Sequence, residues 1–202
     1  MKKIAIAIDG PAAAGKSTIA KRVANNLGYT YIDTGAMYRS VAWKFLQSKQ
    51  DFSPELVSKL AAEMTITFKQ EAKLNRVFVD GLEVTDEIRT PEVTEIVSKV
   101  SAVGAVREAM VAQQRRMGEA GGVVMDGRDI GTVVFPHADL KIFLTASPLR
   151  ASAAMPYTVS VGRATSSPCR RSSAPRAMPA ASAGRSSVFI FIQIIALFYC
   201  KV

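Results

Sequence analysis

Three groups of residues in this chain have types and spacings suited to chemistry. The first is Gly10-Pro11-Ala12-Ala13-Ala14-Gly15-Lys16-Ser17, which meets the pattern G-x-x-x-x-G-K-[ST] at every fixed position. Small residues let successive backbone N–H groups curl around a phosphate, and the positive end of a following helix points at the same place. Lys16 is spaced to reach β and γ phosphate oxygens as a mobile point charge, and the Ser17 hydroxyl suits a magnesium ion. The stretch therefore reads as a P-loop (Walker A). The competing reading is a plain glycine-containing turn. The flanks weigh against it: Ile4 to Ile8 is an apolar run of strand length, and Ile19, Val23 and Leu27 fall on one face of a helix.

The second group is Asp126-Gly127-Arg128-Asp129, directly after the strand-like Val123-Val124-Met125. Two carboxylates and an arginine at the carboxyl end of a strand sit where open α/β sheets place ligands. An internal ion pair that tidies a turn is the alternative. The third is Tyr38-Arg39, in the opening turns of a helix that follows Asp33. A cation there opposes the helix macrodipole, so Arg39 serves a bound anion better than it serves the helix, unless it is simply a solvated surface arginine. His137, after Pro136, reads as an exposed loop residue.

The elements that must position these groups follow from periodicity and breakers. Gly28 stops the P-loop helix and Tyr29 to Asp33 is a second strand, so strand, helix, strand implies a parallel sheet. Ser53-Pro54 caps a short helix carrying Leu56, Val57, Leu60 and Met64. Thr65 to Phe68, Arg76 to Asp80 and Leu82 to Val84 read as a small antiparallel sheet turning at Asp80-Gly81. Thr90-Pro91 starts a helix with Val93, Ile96, Val97 and Val100 at helical spacing, and another runs over roughly Val106 to Met117. Val123 to Met125 and Leu140 to Thr145 complete the core strands. The expected fold class is α/β: a P-loop parallel sheet flanked by helices, with a small antiparallel-strand and helix insertion at about 48–103.

With 202 residues, 49 % of them hydrophobic, the chain can bury one sizeable core. The net charge of +9 suggests nucleic acid until its distribution is considered. All 17 acidic residues and 18 of the 26 Lys and Arg lie at or before Asp139, whereas the last 63 residues hold eight cations and no carboxylate. The body is nearly neutral, so no nucleic-acid partner is expected. Met1-Lys2-Lys3 is followed by only five apolar residues before Asp9, and no apolar run reaches the about 18 residues that cross a bilayer, so neither a signal peptide nor a membrane partner is expected and the chain reads as cytoplasmic. Cys169 and Cys200 both lie in the final stretch and give the body no disulfide framework.

Together, IDGPAAAGKST at Ile8 to Thr18, DTGAMYR at Asp33 to Arg39, EIRTPEV at Glu87 to Val93, VREAM with QQR between Val106 and Arg115, and MDGRDIGTVVFP at Met125 to Pro136 resemble the bacterial cytidylate kinases, P-loop kinases of nucleoside monophosphates. The resemblance runs from residue 1 to about Ser147. It implies transfer of the γ-phosphoryl group of ATP to CMP or dCMP, with Mg²⁺, by a monomer. It implies that Gly10, Pro11, Ala12, Ala13, Ala14, Gly15, Lys16, Ser17 and Thr18 hold the ATP phosphates, with Ser17 at the metal. Lys16, Asp126 and Arg128 would be catalytic. Thr34, Gly35, Tyr38, Arg39, Ser98, Arg107, Arg128 and Asp129 would hold the acceptor. Cytosine offers an amino donor at N4 and acceptors at N3 and O2, needs that Asp129 and Arg107 fit; uracil presents a carbonyl where Asp129 expects a donor. A kinase of UMP or AMP is the nearest alternative, a basic nucleic-acid-binding module a distant one, and a GTPase is disfavoured because no N-K-x-D motif occurs.

After Ser147 the pattern departs. The helix, arginine-bearing lid and terminal elements that the family implies have no counterpart in 148–202, where Pro148 to Ser187 is rich in Ser, Ala, Pro and Arg without evident periodicity and Val188 to Cys200 is apolar. Translation in a shifted frame from about Pro148 is the simplest hypothesis, against a native basic tail. Without lid arginines, turnover is expected to be impaired.

Overall fold

The computed structural model describes residues 3–71, 74–146 and 157–163. Its main sheet has five strands in the order β2-β6-β1-β7-β8. Strands β1 (Ala5–Asp9), β2 (Thr30–Asp33), β6 (Val123–Gly127) and β7 (Leu140–Ala146) run parallel to one another. β1 and β6 are continuous apolar runs because both faces are covered; Ile6, Ile8, Val124 and Met125 have no exposed surface. Register then does the positioning. Asp9 pairs with Gly127, Ile8 with Asp126 and Asp33 with Asp126, so three aspartates end neighbouring strands at one edge of the sheet.

Each strand end feeds a helix or turn. β1 enters the P-loop and α1 (Lys16–Leu27), which Gly28 ends in the left-handed conformation, its N–H bonded to the carbonyls of Ala24 and Asn25. β2 passes directly into α2 (Thr34–Ser48), whose first turn is capped by the Asp33 carboxylate accepting from Ala36 N at 3.0 Å. α3 (Pro54–Glu63) starts as the sequence predicts, with the Ser53 hydroxyl accepting from Leu56 N and Pro54 in the first turn.

The small sheet β3 (Ile66–Glu71), β4 (Leu74–Val79) and β5 (Leu82–Glu83) is antiparallel, with the expected turn at Asp80-Gly81, where both residues have positive φ. Two side chains fasten it to the body. Gln113 of α5 (Gly104–Gly118) accepts from Ile66 N and donates to Met64 O, while Asp80 accepts from Thr65 N and Lys44 Nζ. α4 (Pro91–Ser101) and the 3₁₀ turn Glu87–Arg89 pack on α2.

Two features differ from the sequence reading. Tyr157–Arg163 forms β8, antiparallel to β7, in a stretch read as lacking periodicity. The residues Tyr-Thr-Val-Ser-Val-Gly-Arg do alternate, over a run too short to stand out from its Ser-rich surroundings. Ile130–Val134 forms a π-helical turn that the sequence does not announce. The remaining expectations for 148–202 lie outside the described residues.

Candidate active site

The P-loop is shaped by backbone needs that only particular residues meet. Gly10 has φ of +151°, and a Cβ there would lie 2.1 Å from the Leu144 carbonyl oxygen, so the loop passes too close to β7 for any side chain. Gly15 (φ +77°) precedes α1 and supplies no side-chain cap, leaving the first N–H groups of the helix for an anion. Ala13, at φ +61°, holds a left-handed conformation that costs a non-glycine residue about 1–2 kcal/mol. Lys16 Nζ folds back to donate to Pro11 O at 2.7 Å. Burial lowers the Lys16 pKa and the Asp126 charge opposes that shift.

Asp126 is the centre of the buried network. Its Oδ2 accepts from Ser17 Oγ and its Oδ1 from Tyr31 OH, each at 2.8 Å, while its backbone carbonyl accepts from Thr34 Oγ1 at 2.7 Å. Burial, reinforced by the neighbouring Asp33 charge, pushes its carboxyl up to about 6 against those hydrogen bonds and Lys16. Burial and the two aspartates likewise push the Tyr31 phenol well above its usual value.

Arg107 of α5 reaches the same strand end, with its Nη2 3.1 Å from Asp129 Oδ2. Tyr38 lies beside that pair: burial and the Asp129 charge raise its pKa, opposed by Arg107. Arg39 Nη1 donates to Thr94 Oγ1 of α4 at 3.0 Å. Arg128 makes no hydrogen bond or ion pair with another described residue.

These side chains converge on one cleft of about 750 Å³. Ala12, Lys16 and Ser17 of the P-loop line it. So do Thr34, Gly35, Tyr38 and Arg39 of α2, Ser98 of α4, Arg107 of α5, and Asp126, Arg128 and Asp129. Gly10, Pro11, Ala13, Ala14 and Gly15 of the loop and Thr18 of α1 do not line the cleft. Sequence reasoning passed over Asp33, Ser101 and Arg89. Arg89 lies inside the quoted EIRTPEV segment, and its Nε is engaged by Thr85 O at 3.3 Å; a cation just ahead of the Pro91 helix start was the available signal. Five cationic side chains face three carboxylates across the cleft, a balance suited to a polyanion.

Among the described residues no three His, Cys, Asp or Glu side chains cluster around a common point. The Ser17 hydroxyl and Asp126 carboxylate are hard oxygen donors beside the P-loop, which fits a magnesium ion that takes its other ligands from water and phosphate.

The cytidylate kinase family model matches residues 6–157. The chain is 57 % identical to a cytidylate kinase of Enterococcus faecalis over 149 residues, covering 73 % of this chain and 66 % of that protein. It is 58 % identical to one of Chloroherpeton thalassium over 149 residues, 72 % and 62 % of the two. A bifunctional pantoate ligase/cytidylate kinase of Prochlorococcus marinus is 50 % identical over 148 residues. The matched region thus spans slightly less than two thirds of the length of the single-function relatives. With a P-loop, the DGRD strand end and the Arg107–Asp129 pair facing one cleft, the chain belongs to the cytidylate kinase family.

Proposed function

We propose that this cleft takes ATP at the P-loop and CMP or dCMP at the Arg39, Arg107, Arg128 and Asp129 side, and that the site transfers the γ-phosphoryl group between them. An oxygen of the acceptor phosphate forms the new bond to the γ-phosphorus as the bond to the β-phosphate oxygen breaks, giving ADP and CDP or dCDP. Such transfer asks the protein for alignment and charge neutralisation more than for covalent chemistry. Lys16 and the α1 amides neutralise the donor, Tyr38, Arg39 and Arg128 hold the acceptor phosphate, and Thr34, Gly35 and Ser98 border the nucleoside. Ser17 would hold a magnesium ion beside the donor phosphates, where its charge would offset theirs.

The observation that carries the reading is the meeting of Lys16 and Ser17 with Asp126, Arg128 and Asp129 in one cleft. Asp129 engages Arg107 through Oδ2 only, so its other oxygen is left to accept from cytosine N4.

The stretch from about Pro148 is read as frame-shifted, which removes the arginine-bearing lid. An arginine of that kind contributes about 10³- to 10⁵-fold in rate, so this chain is expected to bind nucleotides and to turn over poorly. It acts as a cytoplasmic monomer without nucleic-acid or membrane partners; among the described residues no helix is long and apolar enough to cross a membrane. A coupled ATPase assay with CMP, dCMP, UMP and AMP on the 202-residue chain, beside a frame-restored chain, tests both points. Equal turnover in the two overturns the impairment, and a restored chain that prefers UMP or AMP overturns the acceptor. Sequencing the coding DNA for a single-base shift near codon 148 tests the origin of the tail.

A further inference from the structure

Asp9 lies inside the IDGPAAAGKST stretch but receives no role from the sequence, and its carboxylate accepts two short hydrogen bonds from backbone amides. It ends β1, is 7 % exposed, and accepts from Ile130 N through Oδ1 and from Gly131 N through Oδ2, both at 2.7 Å. Those two amides open the π-helical turn Ile130–Val134, which closes with Phe135 N donating to Ile130 O at 2.7 Å. The turn follows Arg128 and Asp129 directly. Its first N–H groups have no partner within the turn and no side-chain cap of its own, so the cap comes from another strand.

We infer that Asp9 is a positioning residue for nucleotide selection: by holding the π-helical turn, it fixes where Arg128 and Asp129 meet the acceptor. Three observations support this. The register Asp9↔Gly127 sets the carboxylate beside the strand end that carries both residues. Gly131 leaves the approach open, because a Cβ there would sit 3.1 Å from Asp9 Oδ2. At the far end of the turn, Arg115 donates to the carbonyls of Val133 and Val134 at 2.7 and 3.2 Å, so the turn is held from both sides. π-Helical turns are rare and gather at functional sites. Asp9 also immediately precedes Gly10, so one residue joins the donor loop to the acceptor-reading turn.

The inference rests on the acceptor assignment above, and its test separates the two. CMP, UMP and ATP affinities are measured by calorimetry on the full chain and on Asp9→Asn and Asp9→Ala, with amide hydrogen exchange followed at Ile130 and Gly131. Asn is isosteric and keeps one acceptor, so it protects the measurement if the alanine variant fails to fold. The expected result is faster exchange at both amides, CMP affinity lowered by about 10- to 100-fold, and a narrowed CMP-to-UMP ratio, with ATP affinity changed less. A general loss of folding would lower all three affinities alike, and that outcome overturns the positioning role. Faster exchange with an unchanged CMP-to-UMP ratio overturns it as well. If the wild-type chain binds ATP but neither CMP nor UMP, the acceptor reading itself falls and takes this inference with it.

Discussion

Ser17 Oγ donates to Asp126 Oδ2 at 2.8 Å, tying the P-loop helix to the end of β6 across 109 positions of sequence. With Tyr31 OH on the other oxygen, both sides of a buried carboxylate are occupied by hydroxyls. Hydroxyls are cheap to redirect, since each can turn from donating to accepting. The network therefore holds a charge in place for a ligand while leaving its partners free to rearrange when one arrives.

That arrangement predicts a trade of stability for activity at Asp126. Its folded pKa of about 6 lies above the ordinary value of 3.8, so folding favours the protonated form. The favourable contribution is complete below the unfolded pKa and is lost as pH rises through about 6, leaving an ionised, buried group at pH 7. At ~1.4 kcal/mol for each pH unit between the two values, the cost is about 1–3 kcal/mol. Asp126→Asn should therefore raise the melting temperature at pH 7, with the gap closing toward pH 4, while the same substitution in the frame-restored chain should lower its phosphoryl transfer. A wild-type chain more stable than the variant at pH 7, or a gap independent of pH, would count against this account.

Two glycines with positive φ should behave very differently. At Gly10 a Cβ meets the Leu144 carbonyl at 2.1 Å, and a backbone atom of a core strand cannot step aside cheaply. At Gly28, φ +63°, nothing lies within 4 Å. Gly10→Ala should cost about 3 kcal/mol or more, and Gly28→Ala about 1–2 kcal/mol from the left-handed backbone alone. Urea denaturation of the two variants, monitored by circular dichroism, checks the contrast; similar losses would show that the P-loop yields where the structure says it cannot.

Much of this was legible in the chain because it depends on local signals. The P-loop glycines, the Ser53 cap, the Asp80-Gly81 turn and the β1 and β6 apolar runs each encode their structure within a few residues. The juxtaposition of Tyr38, Arg39, Arg107 and Asp126 to Asp129 came from family resemblance, since spacing along the sequence cannot say which strand ends are neighbours. Asp9 was passed over because its partners are backbone amides more than 120 residues away, and a backbone N–H has no sequence signature. The π-helical turn was missed for the same reason: the contacts that hold it, from Asp9 and Arg115, come from distant parts of the chain.

Asp80 offers a test of the outer sheet that leaves the cleft alone. The Thr65 amide, then Lys44, holds its carboxyl below the usual carboxylate range. A lowered folded pKa means the contribution is present above the unfolded pKa and fades as pH falls through the folded one. Asn also tolerates positive φ and keeps an acceptor for Thr65 N, so Asp80→Asn removes little beyond the charge. The Lys44 pair is more than a third exposed, which limits the expected loss at pH 7 to about 0.5 kcal/mol. Parallel urea titrations at pH 7 and pH 3 should show that difference shrinking at the lower pH; a loss that persists unchanged would assign it to packing.

Selection of the base is the sharpest test of the Arg107–Asp129 pair. Both side chains are substantially exposed, 55 % and 39 %, so the ion pair itself contributes less than about 1 kcal/mol to folding and either residue can be removed without losing the fold. A carboxylate accepting from cytosine N4 discriminates by about 1–3 kcal/mol, and the same carboxylate opposes the carbonyl of uracil. Asp129→Ala removes both effects. CMP affinity should fall by about 10- to 100-fold, while UMP affinity holds or rises, because the unpaired acceptor that rejected it is gone. Arg107→Met should weaken both nucleotides and also free Asp129 to move, so it narrows the ratio less than Asp129→Ala does. Calorimetric titration of the two variants with CMP and UMP gives the ratios directly. If Asp129→Ala lowers both affinities equally, the carboxylate is holding Arg107 in place and the base is read elsewhere in the cleft.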